Sequence, residues 1–172
     1  MTDGGGFNGD TANKFCLRYP DYRKIFFFEP SYTNIKAARD MLRNQRDVEF
    51  IQMGLSNTLG TSYFDSHAGS ASAISDHGSE KIDVTCLDQH ISDTITFIKM
   101  DLEGWELLAL RGAVNHIVRD HPTLAISVYH KAGDFWRIYE FVTQVRNDYK
   151  VYLRYYSEGW SETVMFFVPS HY

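Results

Sequence analysis

Long apolar runs alternate with amphipathic segments along most of this chain, and that alternation restricts the fold more than any single motif. The runs are "KIFFFEP" at 24–30, "VEFIQMGLS" at 48–56, "TFIKMD" at 96–101 and "TLAISVYH" at 123–130. They read as strands buried on both faces. Between them, 31–45, 103–118 and 134–147 carry apolar residues at helical spacing. Ser31 is placed to cap the first of these helices and Asp134 the last. Strand and helix in alternation predict an α/β domain whose mostly parallel sheet is covered on both faces. Strands are expected near 24–29, 48–53, 96–101 and 123–129. "YKVYLRYY" and "ETVMFFVP" are separated by "SEGW", which predicts a closing hairpin with a reversed strand near 162–168. "TSYF" reads as a short strand, and 82–91 as another with a turn. The Gly-, Ser- and Ala-rich stretch 66–80 has little apolar surface to offset its ordering entropy, so it reads as a lid over the strand ends. No internal repeat or second boundary is visible in the 172 residues, so 1–172 reads as a single domain.

The formal net charge is −5. Without a basic footprint a nucleic-acid backbone is not expected as partner. A small nucleotide-like ligand remains compatible, because backbone amides and single side chains can hold it. Cys16 and Cys86 form no CxxC pair, so no zinc or redox motif is indicated, and two free thiols fit a cytoplasmic protein. No apolar run approaches the roughly 18 residues of a membrane span.

Three features carry chemistry. The first is "DGGGFNGDT" at 3–11. Its glycines permit positive φ and close backbone approach, and Asp10 and Thr11 are candidate helix caps; a plain turn would read the same way. The second is Glu29, at the end of an apolar run roughly 20 residues beyond the loop, where an acid is placed to hold a ribose diol. An acid that caps the next helix is the alternative. The third is "IKMDLEGWELLALRGA" at 98–113. Asp101 ends a strand and Glu103 begins a helix, at the carboxyl edge where open α/β sheets place ligands. His130 ends the neighbouring strand. Three roles stand open for it: a general base, a ligand of a divalent cation with Asp101 and Glu103, or a plain hydrogen-bonded histidine. The cation is the least favoured.

"DGGGFNGDT", "FFFEP", "GLSNTLGTSYF", "VTCLD", "FIKMDLEGWELLALRGA" and "PTLAISVYHK", in this order, resemble the FkbM family of S-adenosylmethionine-dependent methyltransferases. The resemblance implies a Rossmann-like methyltransferase fold with a reversed terminal strand, and O-methylation of a small molecule or sugar. It implies that Asp3, Gly5, Gly6, Phe7, Asn8 and Gly9 face the methionine part of the cofactor. Glu29 would take the ribose hydroxyls, Leu55 and Ser56 would border the adenine, and Asp101 would lie beside the methionine amino group or the acceptor. On this pattern His130, Asp101 and Glu103 are the catalytic candidates. Gly6 and Phe7 stand where the family more often has Ala-Asn.

In such a fold the strand before the glycine loop lies mid-sheet. Met1 and Thr2 are too few to form it, so the first strand is expected to be largely missing and the chain to be the C-terminal part of a longer protein. The flanking strands would then re-pair, or another chain would supply the strand. Two other functions fit part of the pattern: a non-catalytic nucleotide-binding or interaction domain, and a nicotinamide-dependent dehydrogenase. The second leaves "DLEGWE" unexplained.

Overall fold

The structure is a computed structural model that describes residues 1–64, 74–75, 80–156 and 161–170. In chain order the elements are β1 (Thr2–Gly4), α1 (Asp10–Arg18), β2 (Ile25–Phe28), α2 (Tyr32–Met41), β3 (Val48–Ile51), β4 (Gly54–Leu55), β5 (Gly60–Phe64), β6 (Ile74–Ser75) and β7 (Glu80–Thr85). There follow α3 (Leu87–His90), β8 (Phe97–Met100), α4 (Glu106–Arg111), α5 (Val114–Asp120), β9 (Thr123–Ser127), α6 (Asp134–Val145), β10 (Tyr149–Tyr155) and β11 (Thr163–Pro169).

The main sheet has the order β10-β11-β9-β8-β1-β2-β3. β1, β2, β3, β8 and β9 pair in parallel, and β11 runs antiparallel to both of its neighbours. The sequence expectation of a mostly parallel sheet with a reversed C-terminal strand is met. A smaller sheet, β4-β7-β5-β6, stands beside it. Among the described residues no helix is long and apolar enough to cross a membrane.

Alternation along β2 shows why its run is continuously apolar. Ile25 and Phe27 pack with Ala12, Cys16, Ile35 and Ala38 of α1 and α2. Phe26 and Phe28 belong to the larger core with Ile98, Met100, Leu124, Ile126 and the helices after β7. Successive side chains of one strand thus enter two different apolar layers.

The central strand is present, which corrects the expectation that it would be largely missing. Thr2, Asp3 and Gly4 pair with Phe26, Phe27 and Phe28 on one side and with Ile98, Lys99 and Met100 on the other. Three residues suffice because β2 and β8 are themselves four residues long. The Met1 carbonyl accepts from Phe26 N at 2.9 Å and the Gly4 carbonyl from Asp101 N at 3.1 Å, which completes both edges.

Other local expectations divide. Ser31 caps α2, its hydroxyl accepting from Asn34 N. α1 is instead preceded by Gly9 in a left-handed conformation, and Asp10 and Thr11 lie inside the helix rather than capping it. α6 begins at Asp134 with Gly133 as its N-cap residue; Asp134 is buried, within electrostatic reach of Glu106, Lys131 and His130. The expected helix over 103–118 is two helices, because Glu103 and Gly104 both take positive φ and the chain turns again at Gly112–Ala113. Most of the expected lid at 66–80 lies outside the described residues; within it, Ile74–Ser75 pairs with Tyr63–Phe64.

Candidate active site

A cleft of about 400 Å³ opens where β1, β2, β8 and β9 end. One wall is the loop after β1. Gly5 N and Gly6 N both donate to the Phe28 carbonyl at 3.0 and 3.1 Å, Gly9 N donates to the Gly6 carbonyl at 2.9 Å, and Phe7 N donates to Glu29 Oε2 at 2.9 Å. The amides of four loop residues are therefore spent inside the protein. Asp10 brings a carboxylate to the mouth. The glycine stretch of the loop therefore offers the cleft backbone surface rather than N–H donors, followed by an acid.

Glu29 stands at the end of β2, 4% exposed. Its carboxylate accepts from Phe7 N, from Ser31 N at 2.9 Å and from Asn34 Nδ2 at 3.2 Å. Burial raises its pKa, and those hydrogen bonds oppose the rise. A carboxylate has about four acceptor positions, so it has room for one ligand hydroxyl rather than the two of a whole diol. Asn34 lines the cleft beside it.

Of the other residues that the family resemblance placed at the cofactor, Gly5, Gly6, Phe7, Leu55 and Asp101 line the cleft, with Met53 and Gly54 beside Leu55. Asp3, Asn8, Gly9 and Ser56 do not line it. Asp3 is fully buried, paired with Lys99 Nζ at 3.1 Å. Asn8 turns its Oδ1 to Asp10 N, Gly9 packs on α2 near Ala38 and Leu42, and Ser56 is buried with its carbonyl against Gly112.

The opposite wall is acidic. The Asp101 side chain is 34% exposed in the cleft, and its Oδ1 accepts from the Tyr129 hydroxyl at 3.2 Å. Glu103 lines the same wall. Behind them lies His130. Its Nδ1 is 2.8 Å from Glu106 Oε1, and its Nε2 is 3.2 Å from Glu103 Oε2 and 3.5 Å from Asp101 Oδ1. Burial works to lower the imidazole pKa, but Glu103 and Glu106 outweigh it and lift it to about 10. A shift in that direction favours the imidazolium, which has no lone pair for a proton and draws the three carboxylates together; it counts against the general-base reading. One donor atom from each of Asp101, Glu106 and His130 lies within 4.8 Å of the others.

Sequence reasoning missed Glu106, fully buried and the closest partner of His130. It also missed Lys99 and Tyr129, which line the cleft. A signal for Lys99 was available, since a lysine inside the apolar run "TFIKMD" demands a buried partner.

S-adenosylmethionine carries a ribose, an ammonium and a sulfonium, and no phosphate. Glu29 and the acidic walls fit that combination.

Comparison with known proteins points the same way. A search of curated protein sequences found no match. Among solved structures, the methyltransferase FkbM of Methylobacillus flagellatus KT superposes with a TM-score of 0.83 at 26% identity over 97% of this chain. The chain spans 42% of that protein's length. An rRNA methylase from Streptococcus thermophilus gives a TM-score of 0.59 at 13% identity, covering 98% of this chain and 84% of its own. A Streptococcus mutans protein named as a methyltransferase, solved in complex with SAH, gives 0.58 at 14%, covering 96% and 86%. These last two likenesses concern the fold alone. The model of the methyltransferase FkbM domain matches residues 3–158, nearly the whole chain, and the chain belongs to that family.

Proposed function

We propose that this chain binds S-adenosylmethionine in the cleft and methylates a hydroxyl oxygen of a small molecule or sugar. The observation that carries the cofactor reading is the glycine loop with its amides spent beside a buried Glu29. A nicotinamide dinucleotide would bring a pyrophosphate to a loop whose glycine amides are spent and which carries the Asp10 carboxylate beside the cleft. When bound, S-adenosylmethionine supplies an electrophilic methyl group on a positively charged sulfur. Glu29 and Asn34 hold ribose hydroxyls, and Met53 and Leu55 give the adenine an apolar seat.

Asp101 would accept the hydrogen bond of the acceptor hydroxyl, with Glu103 beside it, and so orient its oxygen. Methyl transfer would break the S–CH3 bond of the sulfonium and leave SAH, and the Asp101 carboxylate would take the hydroxyl proton. Orientation of the acceptor supplies most of the rate. The acid-lined cleft and the net charge of −5 oppose a polyphosphate acceptor, although an rRNA methylase shares the fold.

The acceptor class is tested by incubating the protein with labelled S-adenosylmethionine and, separately, total rRNA and a small-molecule extract. Label on a hydroxyl of a small molecule is the expected result; label on rRNA alone overturns it. Glu29→Ala removes one charge-assisted hydrogen bond worth about 1.5–3 kcal/mol. It should weaken SAH binding roughly ten- to a hundredfold in calorimetric titration. An unchanged affinity in a folded variant would sink the ribose assignment.

A further inference from the structure

We infer that Lys99 is a positioning residue that shapes the glycine loop for its ligand and does more than neutralise Asp3. The inference rests on the cofactor reading above.

Lys99 sits on β8 between Ile98 and Met100, which are fully buried in the larger core. Alternation turns its side chain to the opposite face, where its cross-strand neighbours are Asp3 on β1 and the small Ala125 on β9. The side chain, 15% exposed, reaches the loop after β1 and lines the cleft. An ammonium has three N–H donors, and three partners meet this one. They are the Gly5 carbonyl at 2.8 Å, Asp3 Oδ1 at 3.1 Å and the Gly4 carbonyl at 3.3 Å.

Charge neutralisation alone would need one of those contacts, and the shortest is to a neutral carbonyl. The carbonyl of Gly4 and the N–H of Gly5 belong to one peptide unit; the carbonyl of Gly5 and the N–H of Gly6 belong to the next. Lys99 takes the Gly5 carbonyl and shares the Gly4 carbonyl with Asp101 N, while the Phe28 carbonyl takes both N–H groups. Two consecutive planar units are therefore clamped at both ends, in the loop most free to rotate. Their orientation decides which backbone surface the cleft presents. The ammonium holds its proton in this setting: burial works to lower its pKa, but Asp3, Asp101 and Glu29 together raise it.

Lys99→Met would strand the buried Asp3 carboxylate, so the informative comparison is with the double variant Asp3→Asn/Lys99→Met, which removes both charges. The double variant should regain much of the thermal stability lost by the single one. Its SAH affinity should stay about tenfold or more below that of the unmodified protein. Its Gly5 and Gly6 amides should also exchange faster with solvent in the absence of ligand. Asp3→Asn alone retains both carbonyl contacts and should weaken SAH binding less than Lys99→Met. Full recovery of affinity in the double variant, or equal losses in the two single variants, would show that Lys99 serves only to neutralise Asp3. If the double variant does not fold, the two single variants decide by the same comparison. Should the unmodified protein not bind SAH, the cofactor reading fails. The ligand-free exchange of Gly5 and Gly6 still reports on Lys99, and unchanged rates would overturn its role.

Discussion

Gly5→Ala should abolish SAH binding and lower the melting temperature by about 6–12 °C, the equivalent of roughly 3 kcal/mol in a domain of this size. Two costs combine. Gly5 has a φ of +67°, a left-handed conformation that costs an ordinary L-residue roughly 1–2 kcal/mol. A Cβ there would also stand 1.9 Å from the Asp101 carbonyl oxygen and 3.3 Å from Leu102 Cδ2. The first of these contacts is backbone on backbone, so no side-chain rotation relieves it. The loop after β1 and the loop after β8 must part, and these are the two walls of the cleft. Circular dichroism melting and SAH titration check the two halves of the expectation. A variant that melts and binds like the parent would show that the walls do not meet at Gly5.

His130→Leu should cost about 3–5 kcal/mol, because it leaves carboxylates buried without their cation. His130→Leu/Glu106→Leu should recover part of that loss, since the double change removes the fully buried acid as well. The pH dependence has a definite sign. The folded pKa of His130 is raised to about 10, above the ordinary value of about 6.5 for an unfolded chain. The resulting stabilisation is fully present below about pH 6.5 and is lost as pH rises through about 10. Melting temperatures of the parent should fall across that window more steeply than those of His130→Leu. Parallel profiles would mean that the imidazole is not charged in the folded state. The rate profile separates the two roles considered for this residue. An ascending limb near pH 6.5 that disappears in His130→Gln would restore it as the general base.

The sequence exposed the sheet because its strands are buried on both faces, and such strands need long apolar runs whatever surrounds them. Phe26 and Phe28 face one layer and Ile25 and Phe27 the other, so the run "IFFF" admits few alternatives. Glu29, Asp101 and the glycine loop were legible for a related reason: position relative to a strand end is a property of chain order. The interior of the site was not. Glu103 and Gly104 continue a helical pattern in letters, yet both take positive φ, and no periodicity reports that turn. Sequence reasoning does not single out Glu106. It is fully buried because His130, which follows the next parallel strand, comes within 2.8 Å. The sequence reading sets the two strands side by side but misses the turn at Glu103 and Gly104 that brings Glu106 to His130. The acid after β2 was placed correctly, but its number of unspent acceptor positions depends on Phe7, Ser31 and Asn34 meeting it in space.

The three-residue strand β1 is also a seam. In the main sheet it alone joins β2 and β3 to the block formed by β8, β9, β11 and β10. Its partner β2 lies nearby in sequence, whereas its partner β8 is separated from it by more than half of the chain. Closing that second pairing costs loop entropy before any contact repays it. In the folded protein the same three residues are the line along which a partial opening would divide the sheet. The glycine loop is the direct continuation of this strand, so a ligand gripping the loop would hold the seam shut. Cofactor concentration would then govern how often the two halves of the molecule separate, as well as how often the cleft is filled.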